Sequence, residues 1–576
     1  MNPAATARGA VEEPPAPHDR LSRSPDPTAA PDPVAEARAK RRRLVGFALV
    51  LGALLRLAQY AVNRSLWLDE GLLVSNFLNR SWAGLFEPFH RGQTSPIGFL
   101  ALEKLAVAAL GRSEYALRLV PLLAGLATLV LLPRVARRFV TRAALPLAVA
   151  LVALAPFLVY YSSEVKQYGF DALSSLLLLA LAHDLARRPR DRRLLAAFCA
   201  AGVAAVWLSQ PTVFVLAGTG TVLGLRALRR GDRRTVAVLA GIAAAWVASF
   251  AGAYLAARHQ LEDPVYMKAF WRTGFFPLAP RTLQEWTWIP RMLLARPFRE
   301  PMGIMGLDTS PLSVVTTAAA MGVFACGFAW MRRHRRLRLA LLLAPAGFAL
   351  AASAAHVYPF ASEFLSSGRV LVFLLPSLAF VMAEGVASLP RLFPRRAGRA
   401  AVAAASALVL LPAAAYAALS VPHLRSEVKP LLDFVNEQRR PGDLMYVYYN
   451  GQSVFEYYAP RYGWNRANTV AGACARFAPE RYPDDLARLR GRPRVWVLVV
   501  ESMPVDGFDE KKFILAFLDH VGRRLDDRVA VGAGVYLYDL RVENTRPGTF
   551  TYPIPVMHPD PALDCRGAWE PLSQLK

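Results

Sequence analysis

IGFLALEKLAVAAL, residues 97–110, is the stretch on which the layout of this chain turns. It is apolar enough to be taken for a spanning helix, yet it is short and holds Glu103 and Lys104. A span needs about 20 mostly apolar residues, because the hydrocarbon core is about 30 Å thick. Eleven other runs are candidates: 44–62, 117–133, 143–161, 170–186, 194–208, 212–228, 235–257, 311–331, 339–355, 370–388 and 400–420. Arginine-rich clusters punctuate them at 38–43, 134–142, 187–193, 226–234, 332–338 and 391–399. If 97–110 does not cross, every cluster falls on one side, as the positive-inside rule requires of cytoplasmic loops. If it crosses, every cluster after the first lands outside. The segment is therefore expected to lie along the outer interface or to dip in and return. That gives eleven spans, with the N-terminus in the cytoplasm and the C-terminus outside.

Composition agrees with a membrane protein. The 576 residues are 54% hydrophobic and carry a net charge of +25. The basic charge sits in short clusters between long apolar stretches, which argues against nucleic acid as a partner. Residues 1–37 are rich in Pro, Ala and acids and have no apolar period, so 1–43 is expected to be a disordered cytoplasmic tail rather than a signal peptide. Cys199 and Cys326 lie in apolar runs and read as small core residues; no CxxC or Cys/His cluster suggests zinc.

The fold class expected is a polytopic α-helical membrane protein, 44–420, with a small α/β domain, 421–576, outside the cytoplasm. The first outer loop, 63–116, would hold interfacial helices. The long outer loop, 258–310, carries Phe270, Trp271, Phe275, Phe276 and Trp286 among basic residues, a mix suited to lipid headgroups. In the tail, 427–440 and 509–524 read as helices and 444–449, 495–500 and 535–540 as strands, an alternation that implies an α/β unit. Cys474 and Cys565 are its two cysteines. An oxidising compartment would permit them to pair, and two free buried thiols is the other reading.

Three outer segments carry candidate chemistry. In SLWLDEGLL, Asp69 and Glu70 follow the first span; adjacent acids point to different sides of a helix, so one can face a cavity while the other holds the loop. They also suit a helix start, where acids favour the dipole. In YYSSEVKQYGFD, Glu164, Tyr168 and Asp171 are spaced i, i+4, i+7 and would share a face at the start of a helix, with Lys166 pointing elsewhere. An acid on the span itself, Asp171, is a functional candidate; an interfacial Tyr/Lys belt is the plainer reading. In HVYPFASEFLSSGR, Arg369 stands at the membrane entrance. Its fork suits a phosphate oxyanion, and simple snorkelling would place it there too. A carboxylate base and a cation for a leaving phosphate are what a membrane-side transferase needs. The outer acids could also bind a divalent cation, although nothing in their spacing demands one.

The joint order of these motifs resembles a known superfamily. LWLDEGLLVSNFLNRSWAGLFEP, then QTSPIGFLALEKLAVAALGRSEYALRLVPLLAG, YYSSEVKQYGFDAL and YPFASEFLSSGRVLVFLLPSLA are similar to the dolichyl-phosphate-mannose-protein mannosyltransferase-like, GT-C-type glycosyltransferases. KPLLDFVNEQRRPGDLMYVYYNGQSVFEYYA resembles the start of the tail in one bacterial branch. The resemblance covers about residues 44–460. It implies a polyprenyl-phosphate sugar donor, an inverting transfer and a site on the non-cytoplasmic face of a bacterial inner membrane. Asp69 matches the acid expected as general base. Glu70 accompanies it, while Arg369, Lys166, Glu164, Tyr168, Asp171 and Gln93 would hold donor phosphate or substrate. Protein-modifying members carry an acid just before a Pro-Pro segment, where this chain has Gln93-Thr94-Ser95-Pro96. Glycan, lipid and protein all stay open as acceptors.

The competing class is a non-enzymatic transporter or flippase for lipid or glycan. It should show repeated halves and polar, broken sites near mid-membrane. The sequence has no internal repeat and gathers its polar residues at one face, which favours the enzyme.

Overall fold

The computed structural model describes residues 33–90, 92–260, 264–295, 298, 311–361 and 367–557. The chain divides into two compact units, Met1–Leu44 and Val45–Lys576. In the first, the described part is helical: Pro33–Ala61 runs as one helix. Residues 33–43 of the expected disordered tail are therefore helical. VAEARAKRRR is built of strong helix formers, and Glu36 stands four residues before Lys40. Residues 1–32 lie outside the described residues.

The second unit is mostly helical. Among the described residues, nine helices are long and apolar enough to cross a membrane. A tenth span arises if Leu145–Ala153 and Pro156–Ser163, bent by 51° at their break, count as one. Pro156 explains the break, since it has no N–H to continue the ladder. The eleventh candidate, 194–208, forms only the 14-residue helix Arg192–Ala205. At 1.5 Å per residue that is about 21 Å, short of the hydrocarbon thickness. Segment 97–110 forms a helix of the same length, Ile97–Leu110, and is not among the nine. Large apolar side chains line the outside of the bundle, with Phe47 and Val247 each 67% exposed and Val130 65%. Water would penalise such a surface, whereas lipid favours it. The protein is a multi-pass membrane protein. Inside the bundle, Gly327 and Gly385 bring helices Pro311–His334 and Leu375–Ser388 into backbone contact; a Cβ on either would strike the facing main chain.

The tail folds around a five-stranded sheet: β1 Leu444–Val447, β2 Thr469–Ala471, β3 Val495–Val500, β4 Arg523–Ala530 and β5 Ala533–Asp539, in the order β2-β1-β3-β5-β4. The β2-β1-β3 pairs are parallel and β3-β5-β4 antiparallel. The three expected strands form the centre. β2 and β4 were not foreseen, because β2 is three residues long and β4, RRLDDRVA, is largely exposed and polar.

This tail shares a core with the first outer loop. Leu66, Leu73, Phe77, Phe99 and Leu117 pack in one cluster with Val428, Leu431, Val454, Phe455 and Trp496. Gly71 lets helix Leu68–Phe77 touch Val454, since a Cβ there would stand 2.7 Å from its Cγ2. The Leu66 N–H donates to the Tyr458 hydroxyl at 2.9 Å, and Lys429 and Arg461 both pair with Glu114 at 3.3 Å. The boundary drawn at 421 marks a change in composition and not a break in packing.

Candidate active site

Helix Leu68–Phe77 starts just beyond the first span, and its first turn carries both acids. Their surroundings differ. Glu70 is fully buried. Its carboxylate accepts from Arg118 at 2.9 and 2.6 Å, from Arg64 at 3.3 Å and from the N–H of Val165 at 3.1 Å. Burial opposes its charge, but Arg118 and Arg64 outweigh that and hold the carboxyl below the usual range.

Asp69 points the other way, and its side chain is 20% exposed. Arg369 Nη1 donates to it at 2.5 Å. Arg369 comes from the 3₁₀ segment Ser367–Leu374, three hundred residues along the chain, and is itself 14% exposed. Burial pushes the Asp69 carboxyl up, while Arg369, Lys166 and Arg425 together pull it further down, below the usual carboxylate range. Lys166 is buried and donates to Gln93 Oε1 at 2.9 Å. Burial lowers its ammonium, against the pull of Asp69. Aromatic rings wall the cations: Arg425 lies 3.8 Å from the Trp67 ring centre and Arg369 5.6 Å from that of Trp271.

The fold thus brings Asp69, Arg369, Lys166 and Gln93 together, with the Tyr168 hydroxyl within electrostatic reach of Asp69 and Arg369. The expected shared face of Glu164, Tyr168 and Asp171 does not form. The helix begins at Tyr168, and Glu164 precedes it in extended backbone, φ −121° and ψ 138°. The cause is Glu70, which takes the Val165 N–H out of any helical ladder. Glu164 is buried, and among the described residues neither of its oxygens has a hydrogen-bond partner. Burial lifts its carboxyl above the usual range, against the pull of Arg425 and Arg64. Asp171 lies a turn deeper, is buried, and leaves Oδ1 without a partner.

Sequence reasoning missed Arg425, Arg64 and Arg118. Arg425 stands just past the last span in VPHLRSE, where a basic residue runs against the expected topology and could have been noticed for that. Among the described residues, no group of three His, Cys, Asp or Glu is placed to hold a metal ion. Cys474 is disulfide-bonded, while Cys565 lies outside the described residues. Residues 362–366 and 299–310, from two of the outer segments singled out above, lie outside them too.

Fold and site together define a multi-pass helical membrane protein with a carboxylate–arginine pair at the start of the helix that packs against the α/β tail. Solved structures similar to it include ArnT from Cupriavidus metallidurans in the apo state, at 12% identity over 89% of this chain and 100% of that one, TM-score 0.49. The same protein bound to undecaprenyl phosphate matches at 14% identity over 87% and 98%, TM-score 0.48. The archaeal oligosaccharyltransferase AglB from Archaeoglobus fulgidus, in complex with an inhibitory peptide and a dolichol-phosphate, matches at 13% identity over 85% and 74%, TM-score 0.47. No family model and no curated protein matches the sequence.

Proposed function

We propose that this protein is a glycosyltransferase that moves a hexosyl or pentosyl group from a polyprenyl-phosphate carrier to an acceptor hydroxyl at the outer membrane face. The observation that carries the reading is the Asp69–Arg369 pair at 2.5 Å, with Lys166 and Arg425 acting on the same carboxylate. A carboxylate on which three cations act suits a site that must accept a second anion, and a phosphate diester is such an anion.

In the reaction, Asp69 takes the proton of the acceptor hydroxyl as its oxygen bonds to the anomeric carbon. The bond from that carbon to the phosphate oxygen breaks, and its electron pair leaves with the lipid phosphate. Attack from the opposite face inverts the anomeric centre. Arg369, with Lys166 and Arg425 beside it, stabilises the charge growing on the phosphate. When the phosphate takes the arginine fork, Asp69 loses its ion-pair partner and its proton affinity rises. The base is thus strengthened by the arrival of the donor. Glu70 holds the loop rather than reacting. Glu164, Tyr168, Asp171 and Gln93 are left to line the sugar or the acceptor.

The site faces outward in this reading, and Cys474 pairs with Cys565 in an oxidising compartment. Two alkylatable thiols in the tail of unreduced, membrane-purified protein would overturn that pairing. The reaction itself is tested by incubating purified protein with labelled polyprenyl-phosphate sugars and a membrane extract as acceptor, with Asp69→Asn as the blank. Transfer by the wild type alone supports the proposal. Bidirectional movement of intact carrier across vesicles, with no transfer from any donor, would replace it with a flippase.

A further inference from the structure

A cavity lies at the far ends of two helices that pass or start beside the Asp69 site. Helix Glu114–Phe139 passes Glu70 at Arg118, and helix Tyr168–Arg187 starts beside the site. Both finish in arginines about 30 Å away, at 1.5 Å rise per residue. Between those ends and the first turn of helix Arg336–Ala354 lies a cleft of about 510 Å³. Arg134, Arg137, Arg138, Arg187, Arg188 and Arg338 line it, with His183 and a single acid, Asp184.

That acid is already engaged. Arg138 forks onto Asp184 with Nε at 2.9 Å and Nη2 at 2.7 Å, and His183 Nδ1 lies 3.2 Å from the same carboxylate. Arg188 pairs with Asp191 at 3.4 Å. Among the described residues, no carboxylate pairs with Arg134, Arg137, Arg187 or Arg338. Four guanidinium groups therefore border one cavity without a counter-charge, an arrangement that repels itself until an anion enters.

The walls say which anion. Leu123 and Val130 are 55% and 65% exposed and lie on one stripe of helix Glu114–Phe139 that runs into Arg134. Arg134 Nη1 folds back onto the Val130 carbonyl at 3.0 Å. The cleft thus opens beside an apolar, lipid-facing wall. We propose that it binds the phosphate headgroup of an anionic phospholipid, whose acyl chain lies along Leu123 and Val130. A basic pocket between helix ends recognises such a headgroup by the same charge-assisted bonds that any phosphate receives. The site is independent of the sugar-transfer reading.

Ordinary basic loops also attract anionic lipid, so the test compares two pairs of equal charge. Full-length protein in neutral detergent is titrated with phosphatidylglycerol, phosphatidylcholine or inorganic phosphate, with binding read by native mass spectrometry and thermal stability. Phosphatidylglycerol should bind and stabilise, and phosphatidylcholine should not. Arg137→Gln/Arg187→Gln should weaken phosphatidylglycerol binding about tenfold or more, from about 1 kcal/mol per arginine. Arg332→Gln/Arg333→Gln, exposed and outside the cleft, should change it less than about twofold. Equal loss in both pairs would overturn the site in favour of diffuse attraction. Inorganic phosphate or phosphatidylcholine stabilising as well as phosphatidylglycerol would overturn the lipid assignment. If the double variant does not fold, the ranking of Arg187→Gln against Arg332→Gln decides between the cleft and diffuse attraction in the same way.

Discussion

Asp69 and Glu70 are neighbours in sequence, yet they belong to two different regions. Glu70 sits in a sealed knot with Arg64, Arg118 and the Val165 amide, while Asp69 keeps a partly exposed side chain and, among the described residues, one hydrogen-bonded cation, Arg369. In the sealed region every oxygen of the carboxylate is satisfied, which fixes the loop. In the open region the partner of Asp69 can be exchanged, which is what a substrate anion requires. The contrast teaches that two adjacent carboxylates, each held by arginine, can serve as scaffold or as machinery according to access.

The sharpest way to break this contrast is Asp69→Asn. General base catalysis contributes about 10²–10⁴-fold, so turnover should fall by that much with expression and melting temperature little changed. Transfer at more than about a tenth of wild type would remove Asp69 from the role. Glu70→Gln should do the opposite. It leaves two buried guanidinium groups without their carboxylate, and breaking a buried pair costs about 3–5 kcal/mol. Its carboxyl is held below the ordinary glutamate value of about 4.5, so the stability it adds is present above that pH and is lost as pH falls through the lowered value. Denaturation midpoints of both variants across pH 4–8 check this; a stable Glu70→Gln protein that lacks activity would reverse the two roles.

The smallest effect lies in the pH profile. Arg369 holds Asp69 below the usual carboxylate range, so removing that cation raises the acid. Arg369→Gln should move the acidic limb of kcat/KM to higher pH. Arg369→Lys should leave the limb nearly in place and still lose about tenfold in rate, because one point charge replaces a fork. A limb that stays fixed in Arg369→Gln would show that another group sets it.

Much of this arrangement was legible in the sequence. Hydropathy located most of the spans, nine as single helices and a tenth as a bent pair among the described residues. Asp69 and Arg369 stood out as polar residues at the ends of apolar runs. Two of the failures depend on long-range partners. Spacing alone put Glu164 on a helix, but the Val165 amide is claimed by Glu70, ninety-five residues earlier in the chain. Arg118 looked like one more residue in an apolar run until Glu70 met it. β4 carries charge on both faces because it is an edge strand, and its alternation is correspondingly weak. The helix 192–205 read as a span because composition does not report where a helix ends.

The seam between the first outer loop and the tail has a consequence for how the molecule is made. Glu114 waits for Arg461, a partner 347 positions later. At about 5–20 residues per second, the ribosome needs on the order of 20–70 seconds to supply it. Throughout that interval Leu66, Phe77 and Leu117 have no cover from the tail, so the nascent chain crosses a window in which its early outer helices need shelter. A stop codon anywhere before Trp496 would leave that window open for good. Truncation of this protein is therefore expected to register with quality-control proteases before it registers as lost chemistry.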